Sequence, residues 1–105
     1  GWRADGFIVD EVDAGGAITK PSSRTWPHTE CLKAALVEGE AGRPDADATG
    51  ARAATRLLND FFAGTVAGGW RDHFGGDGRV LVDYMPASTF YHAFCAIAEA
   101  ERVIG

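Results

Sequence analysis

The sequence predicts a mainly α-helical fold, three helices with two short β-hairpins, in the order hairpin, helix, helix, hairpin, helix. Three observations carry that expectation. Apolar residues recur at helical spacing in three stretches, two of which begin with a proline at or beside the first turn. Two glycine-rich turns, Asp13-Ala14-Gly15-Gly16 and Gly75-Gly76-Asp77-Gly78, each separate short runs of strand-forming residues. No strand–helix–strand alternation, phosphate-binding loop or repeat competes with this reading.

The first hairpin spans 6–20, with Gly6–Val12 as one strand and Ala17–Lys20 as its return. Pro21-Ser22-Ser23 reads as a linker. A helix over 26–39 follows, with Thr25 or Trp26 in the cap region, Pro27 in the first turn and Glu30 suited to the positive end of the helix dipole. A glycine- and proline-containing loop leads to a helix over 47–66, whose inner face is expected at Ala51, Ala54, Leu58, Phe61, Phe62 and Thr65. Gly50 weakens its start. The second hairpin spans 69–84, built from Gly69–Phe74 and Arg79–Tyr84 around an Asp-Gly turn. The last helix, 87–103, begins after Pro86, with Ser88 or Thr89 available to cap it. Phe90, Phe94 and Ile97 form one apolar stripe on it, and Tyr91, Cys95 and Ala98 a second. A helix apolar most of the way round normally has neighbours on most sides. Three such helices in 105 residues cannot satisfy one another, so a large exposed apolar patch is expected, and with it missing chain or self-association.

The formal net charge of −5, spread without blocks, argues against nucleic acid and anionic membrane surfaces as partners. Cys31 and Cys95 fall inside expected helices without metal-ligand spacing, and read as reduced core thiols of a cytoplasmic protein. No apolar run approaches the roughly 18 residues that span a bilayer, and no signal-peptide pattern is present. No metal site and no cofactor is expected. The chain opens on Gly1, as a processed or truncated piece would.

Three groups of residues could carry chemistry. His92, one turn into the last helix, can give and take a proton near neutral pH. On spacing alone it reads equally as a core histidine bonded to a backbone carbonyl. Trp26, His28 and Glu30 cluster at a helix start. His28 and Glu30 point about 200° apart on a regular helix, so they share a pocket only if it lies at the helix N-terminus. The alternative is a plain helix start with a carboxylate placed for the dipole. Trp70 and Asp72 share one face of their strand, an aromatic platform beside a carboxylate that could hold a sugar, or a packed tryptophan beside a solvated aspartate. His73 faces the other way and is expected at the surface.

Taken together, Arg24-Thr25-Trp26-Pro27-His28-Thr29-Glu30-Cys31-Leu32-Lys33-Ala34, Gly68-Gly69-Trp70-Arg71-Asp72 and Met85-Pro86-Ala87-Ser88-Thr89-Phe90-Tyr91-His92-Ala93-Phe94 resemble the C-terminal part of the N-acylglucosamine 2-epimerase superfamily, which includes cytoplasmic mannose and related aldose–ketose isomerases. The resemblance implies an (α/α)6 barrel, of which this chain would be roughly the last quarter, with a small-molecule sugar bound at one end among loops and hairpins. It implies that His92 is a general acid/base and that Trp26 and Glu30 line the pocket. His28 stands where relatives often carry another polar residue, and a second catalytic histidine belongs to a segment outside this chain. The implied chemistry is aldose–ketose isomerisation of a mannose-type sugar, or 2-epimerisation of an N-acylhexosamine, by proton transfer through an enediol(ate). The absence of a clustered Arg/Lys pair favours an unphosphorylated sugar. A non-catalytic, self-associating carbohydrate-binding or remnant module is the competing expectation.

Overall fold

The computed structural model describes residues 1–105. Its elements are β1 (Glu11–Val12), β2 (Ile18–Lys20), β3 (Ser23–Arg24), α1 (Thr25–Glu40), α2 (Ala46–Arg56), β4 (His73–Phe74) and α3 (Ala87–Ile104). A π-helical turn, Leu57–Phe61, extends α2. The fold is therefore mainly helical, with two small antiparallel two-stranded sheets, β1–β2 and β3–β4. α1 is the central element: α2 packs on one side of it and α3 on another.

The first hairpin is shorter than the expected 6–20. Glu11 pairs with Lys20 and Val12 with Ile18, with a register irregularity between them. Its turn is held by Asp13, whose Oδ1 accepts from the amides of Gly15 and Ala17, both at 2.9 Å. Gly16 closes the turn at φ +88°, a left-handed conformation that favours glycine. Residues before β1 leave the strand and turn inward, burying Phe7 and Val9.

The Pro21-Ser22-Ser23 linker is the first correction. Ser23 and Arg24 form a strand paired with Phe74 and His73, linking residues distant in sequence. Pairing with β3 also changes the second hairpin, where only an isolated bridge joins Phe74 to Val80. The Gly75–Gly78 turn survives, with the Gly75 amide donating to Arg79 O at 2.8 Å. The start of α1 is knitted to this segment. Thr25 does not cap its helix; its amide donates to Asp72 O at 3.0 Å and its hydroxyl to Arg71 O at 2.8 Å.

The helix expected over 47–66 ends early, in the π-helical turn. The Phe62 amide donates to Leu57 O at 2.8 Å, one residue further back than an α-helix would reach. The buried face is also one position round from the expected one. Ala46, Gly50, Ala53, Leu57 and Phe61 are buried, whereas Ala51 and Leu58 are exposed. Gly50 explains the choice. A Cβ there would lie 3.2 Å from Ala35 Cβ, so the glycine lets α1 approach on this side. Leu58 and Phe62 line a groove of about 430 Å³ facing Ile97 and Ile104 of α3.

The core sits between the π-helical turn, the N-terminal segment and β4. Phe7, Leu57, Phe61 and Phe74 form it, with Leu32 and Phe62 packed against them. The Phe61 ring meets Phe74 edge-on at 5.1 Å and Phe7 at 5.8 Å. Burying a ring of that size stabilises by roughly 1.5–3 kcal/mol.

α3 differs most from expectation. It buries Thr89, Ala93 and Ala96 against α1, while Phe90, Tyr91, Phe94 and Ile97 stay 52–72% exposed. Neither Ser88 nor Thr89 caps it; Pro86 precedes the first turn without a side-chain cap. The apolar surface read from the sequence is thus present, and nothing in the chain covers it. Cys95 lies on this exposed helix and Cys31 is half-buried; both are free, so the pair are not two core thiols. No helix is long and apolar enough to cross a membrane.

Candidate active site

The site forms where the first turns of α1 and α3 meet. α1 carries Trp26 and Glu30 one turn apart, on a single helix face. That face meets α3 at His92. The tryptophan and imidazole rings lie 5.8 Å apart, tilted by 34°, and the His92 Nδ1 bonds the Glu30 Oε1. An ionised carboxylate only accepts, so Nδ1 carries the proton and Nε2 keeps its lone pair. No protein group bonds Nε2, and the side chain is 37% exposed. Burial pushes the Glu30 carboxyl up, but the hydrogen bonds from His92 and Lys33, together with the Lys33 charge, outweigh it and hold the group below the usual range. Lys33 Nζ lies 3.1 Å from Glu30 Oε2.

His28 points the other way, as its spacing from Glu30 requires. It is fully buried: its Nδ1–H donates to Arg24 O at 2.7 Å and its Nε2 accepts from the Ile8 amide at 3.0 Å. The ring packs 4.6 Å from Phe61. Burial pushes its pKa down to about 4, with the Arg56 charge adding to the effect against the Arg24 carbonyl bond. The structure therefore separates His28 from Trp26, Glu30 and His92.

Asp72 stands across a cleft of about 250 Å³ from Trp26. Asp72 is 9% exposed and its Oδ1 accepts from the Trp70 indole N–H at 3.1 Å. Trp70 itself is buried, packed 6.4 Å from the Phe90 ring, and stands behind Asp72 instead of lining the cleft. The sharing of one face that alternation predicts is present, but the platform is turned inward. The cleft is also lined by Arg24, His73, Tyr84, Ser88 and Thr89, none of which the sequence singles out for a site. Only the β3–β4 pairing and the turn into α3 bring them together. His73, expected at the surface, is mostly buried and bonded to Asp10 at 2.9 Å. No group of three or more His, Cys, Asp or Glu side chains is placed to hold a metal ion.

The arrangement pairs a half-exposed imidazole, held by a carboxylate, with an aromatic face and a polar cleft. Such a set can bind a polyhydroxylated ligand and move a proton at Nε2. The model of the family described as N-acylglucosamine 2-epimerase matches residues 1–96. A mannose-6-phosphate isomerase from Rhizobium meliloti (strain 1021) is 44% identical over 90 residues, covering 81% of this chain and 23% of that protein. The chain thus spans about a quarter of the length of this curated relative. No solved structure matches it. With nearly its whole length matched, and the Trp26–Glu30–His92 group inside the matched span, this chain belongs to the N-acylglucosamine 2-epimerase family.

Proposed function

We propose that this chain is a segment of an (α/α)6-barrel sugar isomerase or epimerase, and that His92 is its general acid/base. The observation that carries this reading is the Glu30–His92 pair beside the open face of Trp26. Glu30 holds the imidazole with Nε2 free, and Nε2 removes the proton on C2 of the open-chain sugar. The electrons move into an enediol(ate). Return of the proton to C1 gives the ketose; delivery to C2 from the opposite face gives the epimer, and that second face needs a further group. Trp26 supplies an apolar wall for the sugar ring and Asp72 accepts from its hydroxyls. Trp70 acts through Asp72, and His28 acts by holding the start of α1 and the Ile8 backbone.

The substrate class is a mannose-type aldose or an N-acylhexosamine. The relative's name points to mannose 6-phosphate, whereas carboxylates at Glu30 and Asp72 favour an uncharged sugar here; parallel assays on mannose and mannose 6-phosphate separate them. In the complete enzyme, His92→Asn should lower turnover about 10²- to 10⁴-fold, the usual contribution of a positioned acid/base. Full turnover in that variant would remove the assignment.

The exposed face of α3 favours a second reading, a non-catalytic carbohydrate-binding module that self-associates through this helix. A sedimentation mass well above 11.1 kDa, with no isomerase activity in the same sample, would support it.

A further inference from the structure

The cleft beside Trp26 is lined by another imidazole, His73, whose free nitrogen has no role so far. His73 Nε2 bonds Asp10 Oδ2 at 2.9 Å, and the same oxygen accepts from Ser22 Oγ at 2.5 Å, with Arg24 Nε at 3.7 Å. The Asp10 side chain is only 9% exposed, and its backbone amide donates to Ser22 O at 2.8 Å. The carboxylate is therefore held rigidly, with three groups around one oxygen. An acceptor at Nε2 fixes the proton there and leaves Nδ1 as a lone-pair acceptor.

Nδ1 has no partner in the protein. It is not among the buried unpaired side-chain atoms, which are Ser23 Oγ and Asp60 Oδ2 alone, so it keeps contact with solvent, and His73 lines the cleft. Thr89 also lines this cleft. It is 3% exposed, and its hydroxyl bonds no other residue, which marks the cleft as a place where polar side chains are left for a ligand.

We propose that His73 is a substrate-contact residue, accepting a hydrogen bond from a sugar hydroxyl at Nδ1, with Asp10 as the residue that positions it. This rests on the reading of the cleft as a sugar site. It assigns a role to two residues that neither the Glu30–His92 pair nor the Trp26 face requires.

The test is ¹⁵N-histidine NMR of the complete enzyme titrated with mannose and, in parallel, with an N-acylhexosamine. The free protein should show His73 as the Nε2–H tautomer, and mannose should move its Nδ1 resonance together with the Trp26 indole signal. Asp10→Asn should leave that tautomer unfixed, because an amide can donate or accept where the carboxylate only accepted. It should also weaken mannose binding about five- to tenfold, the effect of one lost hydrogen bond. The buried His28 signals should stay in place and report an intact fold. His73→Ala should weaken binding by a similar factor. Movement of Trp26 and His92 with no response at His73 would overturn this inference and leave the sugar site standing. Titrations with both sugars that move none of the three would overturn both.

Discussion

Two imidazoles on neighbouring helices, His28 on α1 and His92 on α3, meet opposite surroundings. His28 is sealed among Phe7, Phe61 and the backbone, with both ring nitrogens consumed by main-chain groups. His92 is held from one side only, by the Glu30 carboxylate, and its second nitrogen has no protein partner. Burial selects the neutral ring at His28, since charging it would break the bond from Ile8 and place a charge in an apolar core. Partial exposure beside an anion leaves the Nε2 of His92 without a protein partner. The difference teaches that a histidine near a helix start is sealed or left open according to which face of the helix it occupies. On α1 that is a matter of two residues: Trp26 and Glu30 face His92, and His28 faces the core.

The sharpest break in this comparison is deletion of each ring. His28→Ala should cost roughly 3–5 kcal/mol in urea unfolding, because it opens a cavity and leaves the Ile8 amide and the Arg24 carbonyl unpaired. His92→Ala should cost under about 1 kcal/mol, as expected for a part-exposed side chain on one bond. Equal losses at both sites would erase the distinction.

Acid should reveal the same contrast. The His28 pKa is about 4 in the folded chain against an ordinary 6.5, so the unfolded chain takes the proton first as the pH falls. Its contribution is complete above about pH 6.5 and should shrink by roughly 3 kcal/mol by pH 4. Below that the loss levels off. Glu30 acts in the same direction, since its carboxyl is held below the usual range and its bonds vanish as the folded group protonates. Unfolding curves across this interval check the total, and an NMR titration assigns the share of His28. A His28 ring that titrates near 6.5 would show that it is not sealed.

Smaller effects sharpen the chemical side. Glu30→Gln should lower turnover of the complete enzyme about 10-fold, because a neutral amide still occupies the site but no longer fixes the His92 proton. Trp26→Ala should raise KM about 10-fold with a smaller change in kcat, if it binds sugar equally before and during reaction. Phe94→Ser should change the stability of the monomeric chain by no more than about 0.5 kcal/mol, since that ring is 61% exposed. A larger loss that grows with protein concentration would show that copies cover α3.

Much of the fold was legible because periodicity and turn chemistry are local. The helix starts at Pro27 and Pro86, and the Asp-Gly turn at Asp77, follow from φ restriction and from glycine's freedom at positive φ, as at Gly78 with φ +84°. The strand pairing of Ser23 and Arg24 with His73 and Phe74 was not legible, because two-residue strands carry no alternation to read. The buried stripe of α2 was misread for a related reason. Both of its stripes are apolar, and the close approach at Gly50 decided between them.

The candidate site divides along the same line. Trp26, Glu30 and His92 are recoverable from the sequence because they lie on two regular helices and inside motifs that resemble a known family. Arg24, His73 and Thr89 are not, since only the β3–β4 pairing and the turn into α3 carry them to one cleft. The amino-acid sequence by itself determined three helices, two glycine-rich turns and a surplus of apolar surface on the last helix. Only the tertiary structure decided which histidine is buried, which way Trp70 faces and what surrounds His73. Those outcomes depend on contacts between segments dozens of residues apart, where short-range propensity has no influence and packing space and hydrogen-bond partners choose.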